Sequence, residues 1–190
     1  MGVLALQGDF SAHRQALAER GLVSCEVRKP QHLEGLTGLV LPGGESTTML
    51  KLLDAFGLQQ PLVEAITAGL PVLATCAGII LLAEEVRHPS QPSLGLLRVA
   101  VERNAYGRQL ASTVAQLQVT DELPTPSLEG VFIRAPRVVR VGEGVKVLAT
   151  RGEDPVLVRQ GAILAATFHP ELSPASPVVA LFADMVRRKS

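Results

Sequence analysis

The sequence predicts an α/β protein of three layers, with a mostly parallel central sheet between helices on both faces and antiparallel strands added in the C-terminal half. Three observations carry this. Short apolar runs alternate with amphipathic segments from Val3 to Glu85, which is the β-α-β rhythm of a parallel sheet. Leu, Val and Ala dominate a chain that is 47% hydrophobic but only 3% aromatic, a profile that suits strands buried on both faces. From Leu96 to Leu164, strand-like runs follow one another with few helical patterns between them, so crossover helices are scarce and antiparallel pairing is expected.

Taken in order, Val3 to Leu6 reads as a strand, Ala12 to Glu19 as a helix, and Cys25 to Arg28 and Leu39 to Leu41 as strands. Thr47 to Phe56 and Pro61 to Ala68 carry helical patterns. Val72 to Thr75 is a buried strand, and Ala77 to Glu85 reads as the helix after it, with Glu84, Glu85 and Arg87 on a solvated helical face. The strand-like runs of the middle are Leu97 to Val101, Ser112 to Val119, Gly130 to Ile133, Val138 to Val141, Val145 to Ala149 and Pro155 to Val158. Pro and Ser mark His88 to Ser93 and Asp121 to Ser127 as loops. A last strand, Ile163 to Thr167, precedes a helix from about Pro177 to Lys189, whose Arg187, Arg188 and Lys189 suit the negative end of the helix dipole. Neither loop is long enough to link domains, and 190 residues fit one domain spanning residues 1–190.

Eighteen basic residues cancel eighteen acidic ones, so the charge balance recruits neither nucleic acid nor an anionic membrane. The N-terminal apolar run has no basic segment before it, and no stretch approaches the roughly 18 apolar residues of a membrane span. A cytoplasmic protein is expected. The two cysteines, Cys25 and Cys76, sit in different contexts, which argues against a disulfide framework and for a reducing compartment. Cys25, in an early strand, reads as a core residue. His13 lies on a helix face, His32 in a loop and His88 beside a proline, and no pair has metal-ligand spacing. No metal is expected.

Three segments could carry chemistry. In Pro71-Val-Leu-Ala-Thr-Cys-Ala-Gly78 a strand stops at Cys76 and a helix begins at once, the shape of a nucleophile elbow, where a helix N-terminus favours the thiolate. A buried core cysteine is the alternative. In Thr167-Phe-His-Pro-Glu171 a His and a Glu follow a late strand, as a base and the carboxylate that orients it would; a surface turn with an ion pair is the alternative. In Leu39-Val-Leu-Pro-Gly-Gly-Glu-Ser-Thr-Thr48 a strand runs into two glycines. The glycines could cradle a phosphate, although the Gly-x-x-x-x-Gly-Lys-Ser/Thr pattern is missing. Alternatively they form an oxyanion hole, with N–H groups of Gly44 and Ala77. Ser46, Thr47 and Thr48 are also candidates for the helix cap.

Pro42-Gly-Gly-Glu-Ser46, Thr75-Cys-Ala-Gly78 and Phe168-His-Pro-Glu171, in that order, resemble the triad-type glutamine amidotransferases. Among these the chain is most similar to the glutaminase subunits of pyridoxal 5′-phosphate synthases. That closer resemblance rests on Leu6-Gln-Gly8, Leu41-Pro-Gly-Gly-Glu-Ser-Thr-Thr-Met49, Gly95-Leu-Leu97, Val101-Glu-Arg-Asn104 with Tyr106-Gly-Arg-Gln109, and Val131-Phe-Ile-Arg-Ala-Pro136. It implies a flavodoxin-like fold, hydrolysis of L-glutamine by a triad of Cys76, His169 and Glu171, and glutamine held by Gly44, Glu45, Ser46, Arg103, Ile133 and Arg134. It implies as partner the barrel-shaped synthase subunit of pyridoxal 5′-phosphate synthase, which uses the ammonia, and no cofactor on this chain. Gln7 falls in the docking and activation region of the family, or is a polar strand end. Two other readings stand beside this one: a glutaminase of another pathway, or a flavodoxin-like binding module with a vestigial triad. The position two before the nucleophile, usually glycine in such elbows, is Ala74 here.

Overall fold

In the computed structural model, which describes residues 1–103, 105, 112–123 and 125–189, the apolar runs of the sequence become the strands of one large sheet. Strands β1 (Gly2–Leu4), β2 (Cys25–Val27), β3 (Leu39–Leu41), β4 (Val72–Thr75) and β12 (Ile163–Ala166) lie parallel in the order β2-β1-β3-β4-β12. This is the flavodoxin-type order, with β12 as the fifth strand. Beyond β12 the sheet continues antiparallel through β11 (Asp154–Gln160), β10 (Lys146–Arg151), β7 (Ser112–Val119) and β8 (Leu128–Ile133). The expected antiparallel additions are therefore present.

The inner parallel strands β1, β3, β4 and β12 are buried at every position and apolar at all but Thr75 because both faces are covered, and the side-chain period of two sorts their residues between the layers. Leu39, Leu41, Val72, Ala74, Ile163 and Ala165 join one core with residues of α2 (Ser46–Ala55), α3 (Gln59–Thr67) and α4 (Ala77–Leu82). Val40, Leu73, Leu164 and Ala166 join the other, with Leu17 of α1 (Phe10–Ala18) and Val178, Phe182 and Val186 of α5 (Pro177–Arg187).

Two expectations are corrected. The helix read from Ala77 to Glu85 stops at Leu82, and β5 (Ala83–Arg87) follows it. β5 pairs in parallel with β6 (Leu97–Glu102), which pairs antiparallel with β9 (Arg137–Val141) in a separate three-stranded sheet. Ala-Glu-Glu-Val-Arg has reasonable helix propensity, but pairing with a neighbouring strand overrides it. Glu85 and Arg87, two apart on the strand, form an ion pair at 2.7 Å, while Arg140 of β9 reaches Glu84 at 2.8 Å. The second correction is Cys25, which is exposed because β2 is an outer strand of the large sheet.

Among the described residues no helix is long and apolar enough to cross a membrane. The basic C-terminus packs at home: Arg187 bonds Asp184 and the Arg20 carbonyl, and Lys189 donates to the Gly69 carbonyl. Asn104 and the block Tyr106-Gly-Arg-Gln109 lie outside the described residues, as does Pro124 of the second expected loop.

Candidate active site

In an open α/β sheet, ligands bind beyond the carboxyl ends of the strands, where the strand order switches direction. Here that edge carries Gln7 after β1, Gly43 after β3, Cys76 after β4 and His169 after β12. The parallel register alone brings these distant parts of the chain to one place.

Cys76 is the entire turn between β4 and α4, with φ 47° and ψ −103°. A side chain at positive φ costs about 1–3 kcal/mol and persists only where the surroundings impose it. Here the Cys76 N–H donates to the Ala166 carbonyl of β12 at 2.9 Å. Two residues on, a methyl group at Gly78 would run into the Leu41 backbone carbonyl, so glycine lets α4 close against β3. The thiol is buried, 3.8 Å from the Ile133 carbonyl oxygen. Ala74, where such elbows usually carry glycine, is fully buried within β4.

His169 follows β12, and its own N–H donates to the Val131 carbonyl at 2.8 Å, which ties it to β8. The short 3₁₀ turn Pro170–Leu172 then folds Glu171 back beneath the imidazole, placing Oε1 2.7 Å from His169 Nδ1. Burial favours neutral imidazole, but hydrogen bonds and charge from Cys76 and Glu171 outweigh it and raise the His169 pKa to about 10. Burial likewise works against ionising Glu171. Hydrogen bonds and charge from His13 and His169 prevail and lower its pKa to about 2. The two shifts describe one arrangement, an imidazole held between sulfur and carboxylate.

The glycine loop closes over this set. A Cβ on Gly43 would stand 2.5 Å from His169 Cε1 and 3.4 Å from Cys76 Cβ; only glycine fits between base and thiol. Gly44 packs against the Gln7 amide, whose Oε1 accepts the Glu45 N–H at 2.7 Å. Glu45 caps α2 by accepting the Thr48 N–H at 2.9 Å. The cap is thus Glu45 and not Ser46, Thr47 or Thr48, because the helix begins one residue earlier than its apolar pattern suggests. Ser46 is freed to donate to Gln91 Oε1 at 3.0 Å. Arg103 reaches the other Glu45 oxygen at 2.9 Å. Against the effect of burial, these donors and the Arg103 charge hold the Glu45 carboxyl below its usual range.

Cys76, His169, Gly44, Glu45, Ser46, Arg103, Ile133 and Arg134 line one open cavity of about 260 Å³. Ile133 and Arg134 are exposed at its rim, and Arg134 has φ 45°. Of the remaining residues singled out in the sequence, Glu171 lies behind the imidazole, Ala77 begins α4, and Gln7 sits beneath Gly44. Asp9, Ile80 and Leu172 also line the cavity; nothing in their sequence context marked them. His13, read as a helix-face residue, is 1% exposed and lies 3.2 Å from Glu171 Oε1. Its spacing of four from Leu17 would have put it on the inner face of α1. Among the described residues no group of three or more His, Cys, Asp or Glu could hold a metal ion.

A flavodoxin-type sheet with a strained cysteine elbow facing a His–Glu pair is the arrangement of an amidotransferase of the glutamine class. A solved glutamine amidotransferase superposes on the chain with a TM-score of 0.91 at 49% identity, covering 98% of each chain. The fold is shared more widely, for example with the glutaminase domain of Trypanosoma brucei CTPS at a TM-score of 0.66 and 10% identity, covering 100% of this chain and 93% of that one. The chain belongs to the SNO glutamine amidotransferase family, whose sequence model matches residues 3–188. It is 51% identical over 187 residues to the pyridoxal 5′-phosphate synthase subunit PdxT of Koribacter versatilis, covering 98% of this chain and 95% of that protein. It is 47% identical over 187 residues to the protein of the same name from Thermotoga maritima, covering 98% and 99%.

Proposed function

We propose that this chain hydrolyses L-glutamine to L-glutamate and ammonia, and supplies the ammonia to the synthase subunit that makes pyridoxal 5′-phosphate. The observation that carries the chemistry is the elbow thiol of Cys76, buried against the His169–Glu171 pair at the floor of a cavity rimmed by Gly44 and Arg103. The relatives' common name carries the pathway.

In the reaction, Cys76 sulfur attacks the side-chain amide carbon of glutamine. Glu171 accepts the Nδ1–H of His169, so Nε2 is the nitrogen that faces the thiol and moves its proton. The oxyanion rests on the N–H groups of Gly44 and Ala77. Imidazolium gives its proton to the departing ammonia, leaving a thioester. Water, deprotonated by the same imidazole, attacks the thioester carbon; the C–S bond breaks, glutamate leaves, and the thiol regains its proton.

Glu45, Ser46, Arg103, Ile133 and Arg134, with Gly44, hold the substrate. Arg103, side chain only 15% exposed and already paired with Glu45, offers a guanidinium to the α-carboxylate. Gln7, through the Glu45 N–H, links the end of β1 to the glycine loop and belongs to the region through which the synthase subunit switches the site on. Residues 1–190 act as one glutaminase domain, without a cofactor or metal, in the cytoplasm. The test is glutamate release from glutamine, by the chain alone and with the barrel subunit, with Cys76→Ala as the blank. Cys76-dependent release stimulated by the barrel subunit is expected. Equal turnover by Cys76→Ala would sink the chemistry, and release indifferent to the barrel subunit would sink the pathway.

A further inference from the structure

Among the described residues, the chemistry of the triad leaves one buried titratable residue without a task. His13 is on α1, in neither the sheet nor the loops of the site, and it interrupts an otherwise apolar inner face that continues with Leu17. A polar side chain 1% exposed must find partners, since an unpaired buried polar group is costly. Its partners lie on the two elements that frame the proposed triad. His13 Nε2 is 3.0 Å from Thr75 Oγ1, the residue before Cys76, and 3.2 Å from Glu171 Oε1.

Glu171 forms the other side of the contact. Its Oε1 receives both imidazoles, His169 at 2.7 Å and His13 at 3.2 Å, while Glu171 Oε2 is buried with no hydrogen-bond partner. A carboxylate gripped by one donor alone can rotate and exchange its oxygens; two donors converging on the same oxygen from different elements fix which oxygen faces His169. An ionised carboxylate only accepts. His13 Nε2 therefore carries a proton toward Oε1, and the Thr75 hydroxyl oxygen shares that hydrogen or sits beside it.

Resting on the glutaminase reading, we propose that His13 is a positioning residue for the reaction, a fourth member of the line Cys76–His169–Glu171–His13 that fixes the Glu171 carboxylate and through it the His169 ring. It touches no substrate atom. Its effect falls on turnover, where His169 must move a proton in register with bond making, and not on glutamine affinity.

The experiment measures glutamate release with saturating barrel subunit for three single variants. His13→Leu fills the space but donates nothing and should lower kcat at least tenfold while KM for glutamine stays within about twofold. His13→Gln places an amide N–H near the Nε2 position and should recover most of that loss, although both variants lack the imidazole. Glu171→Gln serves as the reference, and a double variant, His13→Leu with Glu171→Gln, should be little slower than Glu171→Gln alone, because the effect of His13 passes through that carboxylate. If His13→Leu does not fold, His13→Asn, whose amide is too short to reach Glu171, takes its place. A folded His13→Leu or His13→Asn chain with full kcat, equal losses in the Leu and Gln variants, or additive losses in the double variant each overturn the proposal. None of these touches the glutaminase reading, which fails separately if Cys76→Ala turns over glutamine as the unaltered chain does.

Discussion

At the scale of single residues, the proposed triad couples function to stability through opposite pKa shifts. Glu171 is held down at about 2, so the stability it contributes is present above the unfolded-state value near 4.5 and is lost as pH falls from there through 2. His169 is raised to about 10, so its contribution is full below the ordinary value of 6.5 and is lost as pH rises from there through 10. The pair therefore supports the fold best between about pH 4.5 and 6.5. Thermal unfolding followed against pH should show the midpoint of the unaltered chain falling on both sides of that window, and Glu171→Gln should flatten both limbs; unchanged limbs would show that other groups set them. The three candidate positions could be singled out in the sequence because elbow and His-x-Glu each follow an apolar strand, and the fold brings them together. His13 was not, since a lone histidine on a helix has no spacing signal and its meaning depends on which residues fold beneath it.

At the scale of elements, the site is made by loops after parallel strands, and the glycine loop between β3 and α2 is the one packed against the imidazole. A Cβ at Gly43 would lie 2.5 Å from His169 Cε1, inside any real contact. Gly43→Ala must displace either the imidazole or the loop. Because the loop is at the sheet edge and not in either core, the expected result is a kcat loss of about a hundredfold, the size of a lost oxyanion donor, with a thermal midpoint close to that of the unaltered chain. Turnover at the normal rate would mean that the loop moves before catalysis. The parallel strands were readable because two-sided burial leaves an uninterrupted apolar run, and alternation across β3, β4 and β12 then sorts residues into the two cores. β5 was misread because the conformation of Ala83–Arg87 is decided by its partner β6, which begins only at Leu97 beyond a proline-marked loop, and local sequence carries no trace of that pairing.

At the scale of the whole molecule, the cavity opens to solvent past Ile133, Arg134 and Leu172, all exposed, with Ile133 at 36% and Leu172 at 40%. Ammonia leaving by that mouth into neutral water is protonated and diluted, and the ammonium ion is no nucleophile. A chain that supplies a synthase must therefore be covered at this face while it turns over, and the nitrogen should pass on without mixing with the bulk. With isotopically labelled glutamine amide and an excess of unlabelled ammonium salt at neutral pH, the pyridoxal 5′-phosphate made by the assembled chain and barrel subunit should carry the label almost entirely. Product that instead takes on the isotopic composition of the solution would mean that ammonia escapes before it is used, and that the two proteins share a pathway without sharing an enclosed route.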